Sequence, residues 1–167
     1  AHRGSLSSPG IAVLGSGVLN IYPREHNALA EDLIRSGGAI ISEHPIFEGP
    51  RPHYFPERNR IVSGLSDFVL IVEAAKKSGA LITARLALEQ GRDVGAVPGY
   101  VKNHRSYGTH MLIKQGAFLI ESFSDLLEVS PKIKELAEIA EPIKEKPSLK
   151  NSKIDLELKY IIEKYEQ

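Results

Sequence analysis

Short continuous apolar runs alternate along the chain with segments of helical periodicity. Ile11 to Leu14 reads as a buried strand closed by the tight turn Gly15-Ser16-Gly17. From His26 to Ser36, Leu29, Ala30, Leu33 and Ile34 fall at helical spacing, and Gly37-Gly38 stops the helix. Ala39 to Ser42 is the next strand. Residues 44–56 read as a loop, with prolines at 45, 50, 52 and 56, and a helix follows Pro56, a residue suited to a first turn. Phe68 to Val72 is the strongest strand. Ala80 to Gln90 is a helix closed by Gly91, and Asp93 to Val97 is a strand halted by Pro98-Gly99. Thr109 to Lys114 forms a short helix, Ala117 to Ile120 a last strand, and Ser124 to Leu127 a helix start. Strands alternating with helices of about 10–15 residues predict βαβ units and an α/β fold with a mostly parallel, Rossmann-like sheet.

Beyond residue 128 the pattern weakens. Residues 129–150 carry Lys, Glu and Pro with few large apolar side chains and read as a linker. Residues 151–167 hold one amphipathic segment, Leu156 to Tyr165, too small for a domain. The first strand starts only at residue 11, behind what reads as the tail of a helix, so the expectation is a sheet incomplete on its N-terminal side.

Composition narrows the function classes. The 167 residues are 42% apolar and 25% charged, ordinary for one globular domain. No apolar run approaches the roughly 20 residues that span a bilayer, and no signal-peptide pattern opens the chain. No membrane partner is expected. The absence of cysteine removes thiolate chemistry and suits a cytoplasmic location. The histidines show no metal-ligand spacing, so no metal site is expected. Net charge is zero, which argues against a strongly basic nucleic-acid binder. The charge is uneven, however: residues 1–120 hold 13 Lys/Arg against 10 Asp/Glu, and residues 121–167 hold 8 against 11.

In open parallel sheets, ligands bind beyond the carboxyl ends of the strands. Gly15 and Gly17 allow backbone N–H groups to approach a ligand, and an ordinary turn accounts for them equally well. Ser78-Gly79 stands where a helix begins, with free N–H donors suited to a phosphate, and Thr83 lies on its first turn. Here too an ordinary serine cap is the simpler reading. Arg58 and Arg60 flank Asn59 near another helix start, where cations oppose the helix dipole. Either a ligand compensates them or a carboxylate does, with Glu43, Glu57 and Glu73 the available partners. Beside Phe55 the two arginines make a charge-and-stacking pair suited to nucleic acid. Gly108-Thr109 resembles one more cap. No nucleophile elbow, Walker lysine or purposeful carboxylate pair appears, so no catalytic residue is assigned.

The ordered string is more specific than any of its parts. Ala12-Val-Leu-Gly-Ser-Gly17, Tyr22-Pro23, Ile41-Ser-Glu43, Phe55-Pro-Glu-Arg-Asn-Arg60, Gly64-Leu65-Ser66, Val72-Glu73-Ala74-Ala75, Ser78-Gly-Ala-Leu-Ile-Thr-Ala84 and Ala96-Val-Pro-Gly99 resemble the DprA/Smf family of bacterial DNA-processing proteins. Gly108-Thr109, Leu112-Ile113 and Gly116-Ala117 continue the match, which covers residues 1 to about 128. The resemblance implies an extended, three-layer Rossmann-like domain over 1–128, lacking the family's earlier Gly-Ser-Arg strand. The tail would then be a remnant or the start of a winged-helix domain. It further implies a cytoplasmic, cofactor-free, non-enzymatic protein, usually a homodimer, that binds and protects single-stranded DNA in natural transformation and helps load RecA. On that reading Gly15, Ser16, Gly17, Phe55, Arg58, Asn59, Arg60, Lys77, Ser78, Gly79, Thr83, Gly108 and Thr109 surround the DNA. Two other classes stay open: a phosphoribohydrolase of the lysine-decarboxylase-like type, with Glu73 or Glu89 as its acid, and a protein-interaction scaffold that does not grip DNA.

Overall fold

The computed structural model of the chain describes residues 2–139. In order, the elements are β1 (Ile11–Val13), α1 (Asn27–Arg35), β2 (Ala39–Ile41), α2 (Tyr54–Gly64), β3 (Phe68–Ile71), α3 (Gly79–Glu89), β4 (Asp93–Ala96), α4 (Tyr107–Lys114), β5 (Phe118–Leu119), α5 (Phe123–Val129) and α6 (Pro131–Ile139). Single 3₁₀ turns at Gly4–Ser7, Arg24–His26 and His104–Ser106 precede β1, α1 and α4. None of these helices is long and apolar enough to cross a membrane.

Every strand pairing is parallel, as the alternation of strands and helices requires. The strands lie in two ladders, β1-β2 and β3-β4-β5. β1 and β3 therefore each pair along one edge only among the described residues. Leu14 N–H donates to the Ile41 carbonyl at 2.9 Å, and Ala39 N–H donates to the Gly10 carbonyl at 2.8 Å. Those bonds turn Gly10 and Leu14 toward β2. By the alternation of a parallel strand, the carbonyl of Val13 faces the other edge.

The main core lies where α3 and α4 cover the three-stranded ladder. It joins Val69, Ile71, Val94 and Ala96 from the strands to Ala84, Ala87 and Leu112 from the helices. Two alanines at i, i+3 leave α3 little side-chain bulk, so its backbone settles close to the sheet. The smaller ladder is covered by α1, whose Leu33 is only 1% exposed. That helix ends as its sequence demands: Gly37 adopts φ 84°, and the N–H groups of Gly37 and Gly38 return to the carbonyls of Ile34 and Leu33. At α5, Ser122 and Asp125 form a capping box. Backbone N–H bonds from Glu121 and Ser122, at 2.7 and 2.9 Å, hold the Asp125 carboxyl below the usual carboxylate range.

Two expectations are revised. α2 begins at Tyr54, ahead of Pro56 rather than after it; Pro56 still falls in the first turn, where its missing N–H costs no helical bond. The linker expected over 129–150 is helical in its described part. α6 packs on α5, and Lys132 Nζ reaches Asp67 Oδ1 at 2.6 Å ahead of β3. The expected helix over 151–167 and the rest of the linker lie outside the described residues.

This packing makes Leu33 the anchor of the smaller ladder. Leu33→Ala is expected to lower unfolding free energy by about 2–5 kcal/mol, against less than about 0.5 kcal/mol for the exposed Leu88→Ala, both read from urea denaturation.

Candidate nucleic-acid interface

The first turns of α2 and α3 face each other across a cavity of about 360 Å³, lined by Phe55, Pro56, Arg58, Asn59, Gly79, Ala80, Ile82 and Thr83. Two segments distant in sequence thus meet at one groove because α2 and α3 pack together and each follows a strand of parallel sense. The start of α3 carries its own cap: Ser78 Oγ accepts from Ala80 N–H at 3.3 Å. The Gly79 N–H and the Thr83 hydroxyl have no partner among the described residues. Gly79 is open, with nothing within 4 Å of where a Cβ would stand. The groove floor is therefore a helix N-terminus with donors to spare, which suits an anion. Lys77 is exposed on the loop just before it.

The two arginines separate. Arg60 is exposed and pairs with the Glu43 carboxylate beyond β2. Arg58 is part-buried and has no carboxylate within salt-bridge distance among the described residues. It donates through Nη1 to the Val13 carbonyl at the unpaired edge of β1, and through Nε to Asn59 Oδ1 at 3.3 Å. Desolvation by burial pulls its pKa below the ordinary arginine value. Its guanidinium stands 6.0 Å from the centre of the Phe55 ring, and the Tyr22 ring lies tilted at 5.9 Å from the same ring. A partly desolvated cation satisfied only by neutral oxygens is the strongest electrostatic feature of the groove.

Several expected contacts serve the loops themselves. Ser16 is 1% exposed and its hydroxyl donates to the Asn20 carbonyl at 2.7 Å, so the side chain is closed to a ligand. The Gly17 N–H is spent on the Glu48 carbonyl at 2.8 Å; a Cβ there would lie 2.1 Å from the Pro45 carbonyl oxygen, which explains the glycine. Gly15 is buried beside the Phe55 ring, 3.1 Å from where its Cβ would stand. Gly108 and Thr109 do not cap α4, which begins at Tyr107 after a 3₁₀ turn. The Gly108 N–H donates to the Ala74 carbonyl at 2.7 Å, and Thr109, 0% exposed, donates its hydroxyl to the Ser106 carbonyl at 3.0 Å. These groups tie loops together instead of facing solvent. Sequence reasoning did not anticipate the Val13 carbonyl as the partner of Arg58, nor Ile82 as groove wall, although Ile82 lies at i+3 from Gly79 on the same helix face.

Neither acid considered for catalysis reaches the groove lining. Glu73 is exposed and lies 3.7 Å from Arg105, and Glu89 is exposed on α3 beside Arg85 at 3.7 Å. Among the described residues no group of three His, Cys, Asp or Glu is placed to hold a metal ion.

The family model described as DNA recombination-mediator protein A matches residues 1–131. The chain is 53% identical over 130 residues to protein Smf of Escherichia coli, covering 77% of this chain and 35% of that protein. It is 44% identical over 133 residues to DNA processing protein DprA of Bacillus subtilis, covering 78% and 44%. The chain thus spans less than half the length of these relatives. The X-ray structure of DprA from Streptococcus pneumoniae superposes with a TM-score of 0.70 at 39% identity, over 77% of this chain and 46% of that one. The DprA structure from Helicobacter pylori, described for its single-stranded DNA binding mode, superposes with a TM-score of 0.65 at 28% identity, over 78% and 57%.

The division between groove-facing and loop-tying groups has a measurable consequence. Thr109→Ala is expected to lower stability by about 1–3 kcal/mol, since it strips a buried hydroxyl from its acceptor. Arg60→Ala, which removes an exposed ion pair, is expected to cost at most about 1 kcal/mol in the same denaturation experiment.

Proposed function

The chain belongs to the DNA recombination-mediator protein A family, and from that premise we propose that it binds single-stranded DNA in the groove between α2 and α3, without chemical turnover. Arg58 carries this reading: its guanidinium is held at the groove with no carboxylate within salt-bridge distance among the described residues, beside an aromatic ring and opposite the free N–H of Gly79. A phosphate supplies the anion that this arrangement lacks, and Phe55 offers a face to a neighbouring base. Lys77 and Thr83 extend the same contact. Arg60 contributes more weakly, because a ligand must first displace Glu43. Gly15 and the loop beneath it act by positioning Phe55. The relatives' names and the Helicobacter pylori structure support DNA processing as the setting. Loading of RecA, protection of incoming DNA, homodimer formation and a cytoplasmic location are the finer parts of the same proposal.

Binding measured by fluorescence anisotropy with oligo-dT tests it. The logarithm of affinity should fall with the logarithm of salt at a slope of about −0.7 per phosphate neutralised. Arg58→Ala should weaken binding roughly 10- to 100-fold, the worth of a charge-assisted hydrogen bond of about 1.5–3 kcal/mol. Arg60→Ala should weaken it less. Arg35→Ala, on α1 and paired with Glu31 and Asp32, is the control and should change nothing. A folded Arg58→Ala protein that binds as well as the parent, or binding indifferent to salt, would refute the assignment. Release of adenine from a nucleoside monophosphate by purified protein would instead support the phosphoribohydrolase reading.

A further inference from the structure

The loop between β4 and α4 exposes large side chains that the groove does not use. Tyr100 is 71% and Val101 83% exposed, and Tyr107 is also exposed. An exposed aromatic on a floppy loop would mean little, but this loop is clasped at several points. Ala74 N–H donates to the Arg105 carbonyl at 2.8 Å, and Gly108 N–H returns to the Ala74 carbonyl at 2.7 Å. His110 Nε2 lies 3.2 Å from the Gly99 nitrogen and 3.0 Å from its carbonyl oxygen. Asn103 Oδ1 accepts from Arg105 N–H at 3.1 Å. The loop is therefore locked to the one leading into α3, and both leave the same end of the parallel β3-β4 pair.

The electrostatics of this surface are one-sided. Between Asp93 and Glu121 the sequence contains no Asp or Glu, while it holds Lys102, Arg105 and Lys114. From the neighbouring loop, Lys76 places Nζ 5.6 Å from the centre of the Tyr107 ring. Among the described residues Glu73 is the one carboxylate paired here, 3.7 Å from Arg105. Lys76, Lys77 and Lys102 have no carboxylate within salt-bridge distance among the described residues. Cations interleaved with exposed, pre-positioned aromatic rings are the composition of a single-strand platform, where rings take bases and ammonium groups take the phosphates between them. Ordering such rings costs little on binding because the loop is already held.

We propose that Tyr100, Lys102, Lys76 and Tyr107 form a second, base-stacking contact for the same single strand, reached only by oligonucleotides long enough to run past the α2–α3 groove. This rests on the groove reading given above, and length dependence separates the two. Anisotropy is measured with oligo-dT of about 5 and about 15 nucleotides, within the range of single-strand site sizes. For the parent, the longer strand should bind at least about 10-fold tighter. Tyr100→Ala should weaken the longer strand by roughly 10-fold and change the shorter one by less than about twofold, whereas Tyr100→Phe, which keeps the ring face, should match the parent. Arg58→Ala should weaken both lengths. With 5-iodouridine spread along the longer strand, photo-cross-links should map to the peptide holding Tyr100. If Tyr100→Ala binds the longer strand like the parent while Arg58→Ala does not, the groove stands and the platform falls. If Arg58→Ala leaves both lengths unaffected, the groove reading has failed, and this inference with it.

Discussion

Everything at the groove depends on one hydrogen bond, from the Arg58 guanidinium to the carbonyl of Val13. Among the described residues no strand covers that edge of β1, so the carbonyl takes a donor from elsewhere. Arg58 comes from α2, the helix that packs on α3 and so belongs with the larger ladder. The bond thus connects the two ladders as well as satisfying an open strand edge. Its cost is the partial desolvation of a cation, visible as the lowered pKa of Arg58. Neutral oxygens from Val13 and Asn59 answer its geometry but not its charge. An ion pair would have done both. The charge is left over for whatever enters the groove, and at reduced dielectric it attracts an anion more strongly than an exposed cation could.

Parallel pairing decides where the rest of the apparatus sits. Because β3 and β4 run the same way in register from Phe68↔Asp93 to Ile71↔Ala96, the loops after them leave together. Backbone groups of Ala74, Arg105 and Gly108 clasp them together. This frees the long side chains of Lys76, Lys77, Lys102 and Tyr107 to point outward. Gly108 is what permits the closeness: a Cβ there would stand 2.7 Å from the Ala74 carbonyl oxygen.

Strands and helices were legible in the sequence because their signals are local: continuous apolar runs for β3 and β4, and a 3.6-residue period for α1 and α3. The groove was half legible. Phe55, Arg58, Gly79 and Thr83 stand out by residue type beside a helix start, and the fold brings these four to the lining of one cavity. What sequence cannot reveal is which donor is already spent. Arg58 and Arg60 read alike, two residues apart on one helix, and a rotation of about 200° around the axis sends one to Val13 and the other to Glu43. Gly17, Gly108 and Thr109 read as free donors for the same reason: their acceptors, the carbonyls of Glu48, Ala74 and Ser106, are matters of tertiary or turn geometry. The helix at Pro131–Ile139 escaped notice because few large apolar residues mark it, and its packing on α5 supplies what pattern does not.

A net charge of zero would seem a poor starting point for gripping a polyanion. Long-range steering scales with the summed field, and here the acidic residues elsewhere cancel most of it. Within a Debye length of about 8–10 Å, however, a phosphate senses only its immediate neighbours. In the groove those neighbours are Arg58, with no carboxylate within salt-bridge distance among the described residues, and the N-terminus of α3. Local charge of this kind supports few phosphate contacts. Such a site must draw much of its affinity from surfaces that salt does not screen, and Phe55 in the groove is the first of them. In the proposed binding mode this makes the aromatic residues as consequential as the basic ones: the cations would hold the backbone of the strand in place, and the rings would supply the part of the binding energy that persists when counterions compete.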